Sequence, residues 1–127
     1  MLVSKNIIAF VATTQPDKAK HFYGDVLGLK FESEDPFALV FDAHGVMVRI
    51  GKMKEFTPQQ FTVLGWETED ITGTVTELEI RGIKFEKFGM PGQDERGIWT
   101  APGNSAKVAW FKDPDGNVLS VSQHTNL

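Results

Sequence analysis

The sequence predicts an α+β protein built from two tandem β-α-β-β-β modules, at about residues 5–51 and 61–124. Two repeated patterns support this prediction. The tetrapeptide GLKF, which follows the first helical pattern, returns as GIKF 54 residues later, after the second. An Asp-x-x-Gly turn followed by an apolar run begins at Asp42 and again at Asp113. Such repetition indicates duplicated units, and a chain of 127 residues accommodates both in one domain.

The first module begins with residues 6–13, NIIAFVAT, an apolar and β-branched run typical of a buried strand. Pro16 then suits the first turn of a helix, and Gly28 suits its left-handed end. Three strands, LKFE, FALVFD and GVMVRI, complete the module, because turn residues separate them. The helix carries one apolar stripe at helical spacing: Ala19, Phe22, Tyr23 and Val26.

The second module repeats this order from FTVLGWET onward, and alternation points Trp66 into the helix-packing core. Asp70 is a good N-cap for a helix that Gly82 ends, and GIKF predicts the next strand at residues 83–86. The spacing between matching positions then grows from 54 to 71, because 17 residues, GMPGQDERGIWTAPGNS at 89–105, are inserted before the last strand. Such an insertion is either a functional lid or a solvated surface loop.

Charge and composition exclude several classes of function. A net charge of −4 without a cluster of Lys or Arg argues against a nucleic-acid or membrane partner. The chain has no cysteine, which excludes disulfides, thiol nucleophiles and Cys-ligated metals. Its first residues lack a secretory signal pattern, and no apolar run approaches the length of a membrane span. We therefore expect a cytoplasmic protein.

Two segments carry a resemblance to a known family. HFYGDVLGLKF in the first module and FKDPDGNVLSVSQ near the end, together with the duplicated modules, resemble the vicinal oxygen chelate superfamily. This superfamily includes glyoxalase I, extradiol dioxygenases and the bleomycin-resistance binding proteins. The resemblance implies two curved mixed sheets that enclose a cleft. It also implies a homodimer, as in the bleomycin-resistance branch.

In metal-dependent members of this superfamily, the first and last strands of each module supply the metal ligands. The positions that resemble them here are Ala9 and Arg49 in the first module and Val63 and Ser120 in the second. Ala and Val have no donor atom, Arg carries a permanent positive charge, and a serine hydroxyl is a poor ligand for a transition metal. We therefore predict no metal ligands at these positions and no cofactor.

The resemblance places one face of these strands on the cleft, and alternation assigns residues to that face. Trp99, in the insertion, either closes over a flat organic ligand or anchors the loop or a subunit contact. The opposite, helix-packing face is expected to carry Ile8, Phe10, Thr62 and Leu64. The predicted ligand-binding residues are Met47, Arg49, Phe61, Val63, Glu67, Trp99 and Ser120.

Two of these residues have competing interpretations. Arg49 either holds a carboxylate or phosphate of a ligand, or pairs with Glu67 across the cleft. Glu67 is also a candidate general base if an apolar setting favours its protonated form, although a lone carboxylate on a strand is more often structural. The three histidines, His21, His44 and His124, fit surface positions.

These observations predict a protein that binds a small organic molecule in an apolar cleft without a metal. The alternative is an enzyme of the lyase, isomerase or dioxygenase type. Such an enzyme would need a divalent metal gathered from Glu67, His21 or the acidic residues of the insertion, or metal-independent acid–base work by Glu67. A third interpretation is a cleft filled by its own side chains in a structural or partner-binding protein.

Overall fold

A computed structural model describes residues 1–125 of the chain. Contacts divide the chain into two compact units, Met1–Pro58 and Gln59–Leu127, and each unit contains one four-stranded mixed sheet. Two similar α+β units confirm the predicted fold class. Among the described residues, no helix has both the length and the apolar character that crossing a membrane requires.

After a short 3-10 helix at Leu2–Ser4, unit 1 contains one α-helix and four strands in the predicted order β-α-β-β-β. Their bounds are Ile8–Thr13 for β1, Pro16–Lys20 for α1, Lys30–Glu34 for β2, Ala38–Ala43 for β3 and Val46–Lys52 for β4. The sheet order is β1-β4-β3-β2. Strand β1 runs parallel to β4, and the other neighbours are antiparallel.

Helix α1 begins as its sequence predicts. Pro16 lacks an N–H that the first turn would leave unpaired, and Asp17 complements the positive end of the helix. The backbone then widens into a π-helical stretch, His21–Val26, that carries the apolar stripe onward. Tyr23 is fully buried, and its ring centroid lies 6.2 Å from that of Phe41 in β3. The helix therefore covers the sheet face that carries Phe41.

Strand β1 turns its side chains opposite to the predicted assignment. Val11 pairs with Ile50, and both are buried on the helix-packing face. Phe10 pairs with Arg49 and is 67% exposed, and Ile8 shares this side. The expectation for Ile8 and Phe10 is wrong because residues 7–12, IIAFVA, are all apolar, so no alternation of polar and apolar residues marks the buried side. The side opposite the helix, called here the open face of unit 1, carries Ile8, Phe10, Val40, Met47 and Arg49.

The described part of unit 2 also contains one α-helix and four strands, with a short 3-10 helix at Pro102–Asn104. Their bounds are Thr62–Glu67 for β5, Ile71–Ile80 for α2, Trp99–Thr100 for β6, Ala106–Lys112 for β7 and Val118–His124 for β8. The sheet order is β5-β8-β7-β6, with β5 parallel to β8 and the other neighbours antiparallel. This sheet repeats the strand arrangement of unit 1.

Helix α2 begins at the predicted cap. The Asp70 carboxylate accepts a hydrogen bond from the Gly73 N–H at 3.1 Å. A Cβ at position 73 would collide with that carboxylate, so the glycine that lowers helix propensity also makes room for the cap. Trp66 stacks on buried Phe111 with ring centroids 6.5 Å apart. The prediction that Trp66 packs toward the core is therefore confirmed.

The strand predicted at residues 83–86 does not form within the described structure. Ile83 and Phe85 are buried, so the apolar alternation there reflects burial rather than strand pairing. A backbone hydrogen bond of 2.8 Å from Glu86 N–H to the Trp110 carbonyl connects this segment to β7. The edge of the sheet is formed instead by β6, which comes from the insertion.

Side-chain hydrogen bonds tie the insertion to unit 2. The Gln93 amide nitrogen donates to the Glu86 and Gly97 carbonyls at 3.1 and 2.9 Å. Its amide oxygen accepts from the Phe88 N–H at 2.8 Å. The Asp94 carboxylate accepts from two backbone N–H groups of the same loop. This network joins the insertion to the edge of the sheet in unit 2.

The two Asp-x-x-Gly turns differ in length. Four residues separate the paired Asp42 and Met47, whereas five separate the paired Lys112 and Val118. The longer turn is held by the buried Asp113, whose carboxylate accepts two backbone N–H groups of the turn. Because of the extra residue, the spacing between the modules is 70 in the strand before the turn and 71 in the strand after it.

Candidate functional site

A row of three paired residues crosses one face of the sheet in unit 2. Gly65 in β5 pairs with Ser120 in β8, and Ser120 pairs with Trp110 in β7. Paired residues on neighbouring strands point to the same side of a sheet. Their sequence neighbours Leu119 and Phe111 are buried on the other side. The side that carries Gly65, Ser120 and Trp110 is called here the open face of unit 2.

Three aromatic rings meet beside this row. Trp99 in β6 pairs with Val108, which precedes Trp110 by two residues and so shares its face. The ring centroids of Trp99 and Trp110 are 6.1 Å apart, and the Phe88 ring lies 5.5 Å from that of Trp110, edge to face. Aromatic rings attract one another at such separations. Phe88, Trp99 and Trp110 are called here the aromatic cluster.

Both indole N–H groups of the aromatic cluster are bonded within the protein. Trp99 Nε1 donates to the Pro91 carbonyl at 3.0 Å, and Trp110 Nε1 donates to the Thr62 hydroxyl at 3.1 Å. Thr62 therefore lies on the open face, contrary to the prediction, because the register of β5 is irregular between Thr62 and Leu64. These bonds hold both half-buried rings in place, which lowers the ordering cost of binding a ligand there.

Ser120 places a polar group next to the aromatic cluster. The residue is 7% exposed, and its hydroxyl makes no hydrogen bond in the described part of the chain. Every fully buried side-chain N or O atom of residues 1–125 has a partner, so this hydroxyl keeps contact with solvent. Gly65 leaves that opening, because a Cβ at position 65 would lie 2.7 Å from Ser120 Oγ. The hydroxyl is available to a ligand as donor or acceptor.

The other predicted residues of unit 2 lie along β5. Phe61 immediately precedes the strand and is 63% exposed. Val63 occupies the irregular step of the strand and is half-buried. Glu67 ends the strand, is exposed, and lies two residues beyond Gly65. The strand therefore spreads these three residues along one edge of the sheet, since β5 is an edge strand.

Phe88 and Trp110 are not among the site residues predicted from the sequence. Trp110 connects two predicted residues, because Trp99 lies beside its ring and Ser120 pairs with it. The pairing of Trp110 with Ser120 depends on the length of the last turn, which the Asp-x-x-Gly pattern shared with unit 1 does not reveal. No sequence signal marks Phe88, whose position depends on how the chain folds before the insertion.

Two predicted residues, Met47 and Arg49, lie on the open face of unit 1. Arg49 has Phe10 beside it on β1 and Val40 beside it on β3. Backbone N–H groups that bond to the Asp35 carboxylate lower the pKa of Asp35, and the Arg49 charge adds to this effect. Unit 1 therefore offers the Arg49 cation beside apolar side chains.

Comparison with known proteins assigns the family. The model of the Glyoxalase/Bleomycin resistance protein/Dioxygenase superfamily matches residues 6–121. The chain therefore belongs to this superfamily, and the resemblance drawn from its two motifs is confirmed. No curated protein matches the sequence.

Solved structures of related fold agree with this assignment. An antibiotic binding protein from a Streptomyces strain is 23% identical, with a TM-score of 0.74, and the match covers 98% of this chain and 99% of that one. A glyoxalase/bleomycin resistance protein/dioxygenase from Alicyclobacillus acidocaldarius is 16% identical, with a TM-score of 0.68 and coverage of 97% and 93%. Lactoylglutathione lyase from Agrobacterium tumefaciens is 20% identical, with a TM-score of 0.66 and coverage of 94% and 93%. At these identities the likeness shows the fold alone.

The metal site of metal-dependent superfamily members does not fit the residues of this chain. The strand register corrects two of the four mapped positions: on β1 the paired position is Phe10 rather than Ala9, and on β5 it is Gly65 rather than Val63. Neither has a side-chain donor for a metal, and a guanidinium and a serine hydroxyl make up the rest of the set. In residues 1–125, no three His, Asp or Glu side chains are grouped as metal ligands would be.

Proposed function

We propose that this protein binds a small, flat organic molecule on the aromatic cluster of unit 2, and that it does so without a metal. The observation that carries the proposal is the pair of indole rings of Trp99 and Trp110, which are half-buried, lie 6.1 Å apart and are held by their own N–H groups. Membership of a superfamily named in part for bleomycin resistance proteins supports it. The similar fold of an antibiotic binding protein is a further support.

Each predicted contact has its own role in this proposal. The ring faces of the aromatic cluster take the apolar body of the ligand, and the Ser120 hydroxyl bonds a polar atom at its edge. Phe61 and Val63 add apolar contact along β5. Met47 and Arg49 belong to unit 1 and are proposed as ligand contacts of that unit by itself: Met47 offers apolar contact, and Arg49 binds a carboxylate or phosphate group.

Glu67 fits binding better than catalysis. A carboxylate that serves as general base near neutral pH needs an apolar setting or a charged partner that tunes it. Glu67 is exposed at the end of β5 and takes part in no ion pair among the described residues. We therefore assign it a contact to a polar or cationic group of the ligand.

The protein is further proposed to act as a cytoplasmic homodimer, without a nucleic-acid or membrane partner. The resemblance to the bleomycin-resistance branch supports the dimer, and the net charge of −4 supports the absence of polyanionic partners. Sedimentation equilibrium tests the assembly. A particle of twice the chain mass agrees with the proposal, and a monomer at all concentrations contradicts it.

Tryptophan fluorescence tests ligand binding at the aromatic cluster. The probes are three planar aromatic compounds, anthraquinone-2-sulfonate, acridine and quinoline, and calorimetry measures their affinity independently. Trp66→Phe is the matched control, because Trp66 stacks in the core and not in the aromatic cluster. We expect this variant to keep both the quenching and the affinity.

Trp99→Leu keeps apolar volume and removes one ring of the aromatic cluster. We expect it to weaken probe binding by about 5- to 10-fold, as the loss of an aromatic contact predicts. The proposal would be overturned if this variant bound the probes with wild-type affinity, or if none of the three probes bound to the wild-type protein. Circular dichroism of each variant establishes that the fold is retained.

A further inference from the structure

A hollow of about 540 Å³ is formed entirely by residues of unit 1. Its volume falls in the range of small-molecule sites. All four strands of the sheet contribute to its wall, with Ile8 on β1, Glu32 on β2, Asp42 on β3 and Met47 on β4. The hollow therefore lies on the folded sheet rather than on a single loop.

Apolar side chains form one part of this wall. Ile8 and Met47 pair across β1 and β4 on the open face of unit 1, and they are 44% and 41% exposed. Val40 lies on β3, between Met47 on β4 and the edge strand β2. It is buried and forms the floor of the hollow. Large apolar side chains that stay open to solvent in a concave site are typical of ligand contact.

Two carboxylates line the hollow, and no Lys, Arg or His is part of its described lining. Glu32 makes an ion pair with Lys30 at 3.4 Å. Asp42 is half-buried, and its carboxylate takes part in no hydrogen bond or ion pair among residues 1–125. A cation that reaches Asp42 therefore gains a charge contact that the described part of the protein does not supply.

Two cations of unit 1 lie near the hollow without lining it. Lys30 pairs in register with Asp42, but its Nζ lies within 3.4 Å of Glu32. Arg49 follows Met47 by two residues on the open face, and its neighbours on both sides are apolar. Lys30 therefore offsets the negative charge of Glu32, and the negative charge of Asp42 is not offset by an ion pair among the described residues.

We propose that this hollow binds an organic cation, whose ammonium group pairs with Asp42 and whose apolar body packs against Ile8 and Met47. The site goes beyond the function proposed for the aromatic cluster, because it lies in the other unit and takes a different class of ligand. The charge of Asp42 selects for the ammonium group, and the exposed apolar wall selects for a hydrocarbon body over a bare metal ion or a polyamine.

An amide-resolved NMR titration tests this site on the full chain. The probe is hexyltrimethylammonium, which has a permanent positive charge and an apolar tail. Hexanol and hexanoate are the neutral and anionic controls. We expect the cation to shift the amide signals of Ile8, Val40, Asp42 and Met47, and we expect both controls to bind more weakly by about tenfold or more, since each lacks the charge contact. Equal binding of the three probes would overturn the proposal.

Asp42→Asn removes the charge while it keeps the shape of the side chain. We expect this variant to bind the cation about tenfold more weakly, as the loss of a charge-assisted contact predicts. Asp25→Asn is the matched control, because Asp25 pairs with His21 and does not line the hollow. If Asp42→Asn fails to fold, Glu32→Gln on the same wall is expected to weaken binding in the same direction. Unchanged affinity in the folded variants would overturn the proposal.

The same titration separates this inference from the function proposed for unit 2. Trp99→Leu alters the aromatic cluster and leaves every residue of the hollow in place. We expect it to bind hexyltrimethylammonium as the wild type does. A loss of cation binding in Trp99→Leu would assign the cation to the aromatic cluster and would overturn the separate site.

Discussion

A Cβ at position 65 would lie 2.7 Å from the hydroxyl oxygen of Ser120, on the strand that pairs directly with it. Unlike Gly45 and Gly116, whose φ angles are 90° and 89°, Gly65 has no left-handed backbone that calls for glycine. The glycine is therefore required by a close contact. It also keeps the Ser120 hydroxyl open to solvent on the face that carries the aromatic cluster.

Gly65→Ala is expected to lower the free energy of unfolding by about 1–2 kcal/mol, because the added methyl group displaces the Ser120 side chain. Gly51→Ala in β4 is the matched control, since its Cβ would meet nothing closer than the Val11 carbonyl at 3.8 Å. Urea denaturation measures both variants. Adding Ser120→Ala to the Gly65→Ala variant is expected to restore most of the lost free energy of unfolding. If Gly65→Ala and Gly51→Ala lose the same free energy of unfolding, the close contact between Gly65 and Ser120 is contradicted.

Gln93→Ala is expected to lower the free energy of unfolding by about 1–3 kcal/mol, because its side chain makes three hydrogen bonds that hold the insertion. The Phe88 N–H loses its bond, so its amide proton should exchange faster with solvent. Hydrogen exchange and urea denaturation measure the two effects. Gln59→Ala changes an exposed residue of the same type and should show neither effect. Unchanged exchange at Phe88 would show that Gln93 does not hold the insertion.

Acid sensitivity is expected to depend on Asp35. The N–H groups of Phe37 and Ala38 bond to its carboxylate at 2.8 and 2.9 Å and lower its pKa below the ordinary value of 3.8. A lowered pKa in the folded state gives stability that is present above pH 3.8 and is lost as the pH falls through the folded-state pKa. Asp35→Asn removes this titration, so its stability should fall less steeply in acid than that of the wild type.

Urea midpoints measured from neutral pH to below 3.8 test this expectation. Glu55→Gln is the control, because Glu55 is exposed and its carboxylate makes no hydrogen bond or ion pair among the described residues. A decline in acid that is equally steep in the wild type and in Asp35→Asn would contradict the role of Asp35.

Helix signals and module order could be predicted from the sequence because they act locally. The Pro16 start of α1 and the Asp70 cap of α2 each satisfy groups within one helical turn, so neighbouring residues are enough to find them. The core position of Trp66 follows from alternation with its neighbour Glu67, whose charge marks the other face of the strand.

The faces of two strands could not be predicted in this way. In β1 every residue near Phe10 is apolar, so only the pairing with β4 decides which side is buried. In β7 the face of Trp110 depends on the turn that follows, which is one residue longer than its counterpart in unit 1. Trp110 therefore corresponds to Val40 on the open face, whereas a constant spacing matches it with the buried Leu39.

The candidate site was predictable only where a residue type carried its own signal. Trp99 stands out as an aromatic in a loop, and its position beside Trp110 agrees with its predicted importance without testing its role in binding. Phe88 gave no signal, because its placement depends on a segment that lacks strand pairing and on the Gln93 side chain that holds it.

The bonds that Trp99 and Trp110 make to Pro91 and Thr62 set the selectivity of the site we propose. Because both indole N–H groups are bonded within the protein, the site selects a ligand by the shape of its rings rather than by its hydrogen-bond donors and acceptors. The Ser120 hydroxyl makes a polar contact at one position on the edge of the ligand. Substituents at other positions of the rings have no polar contact in this site. Such a site therefore binds a group of related compounds rather than a single molecule.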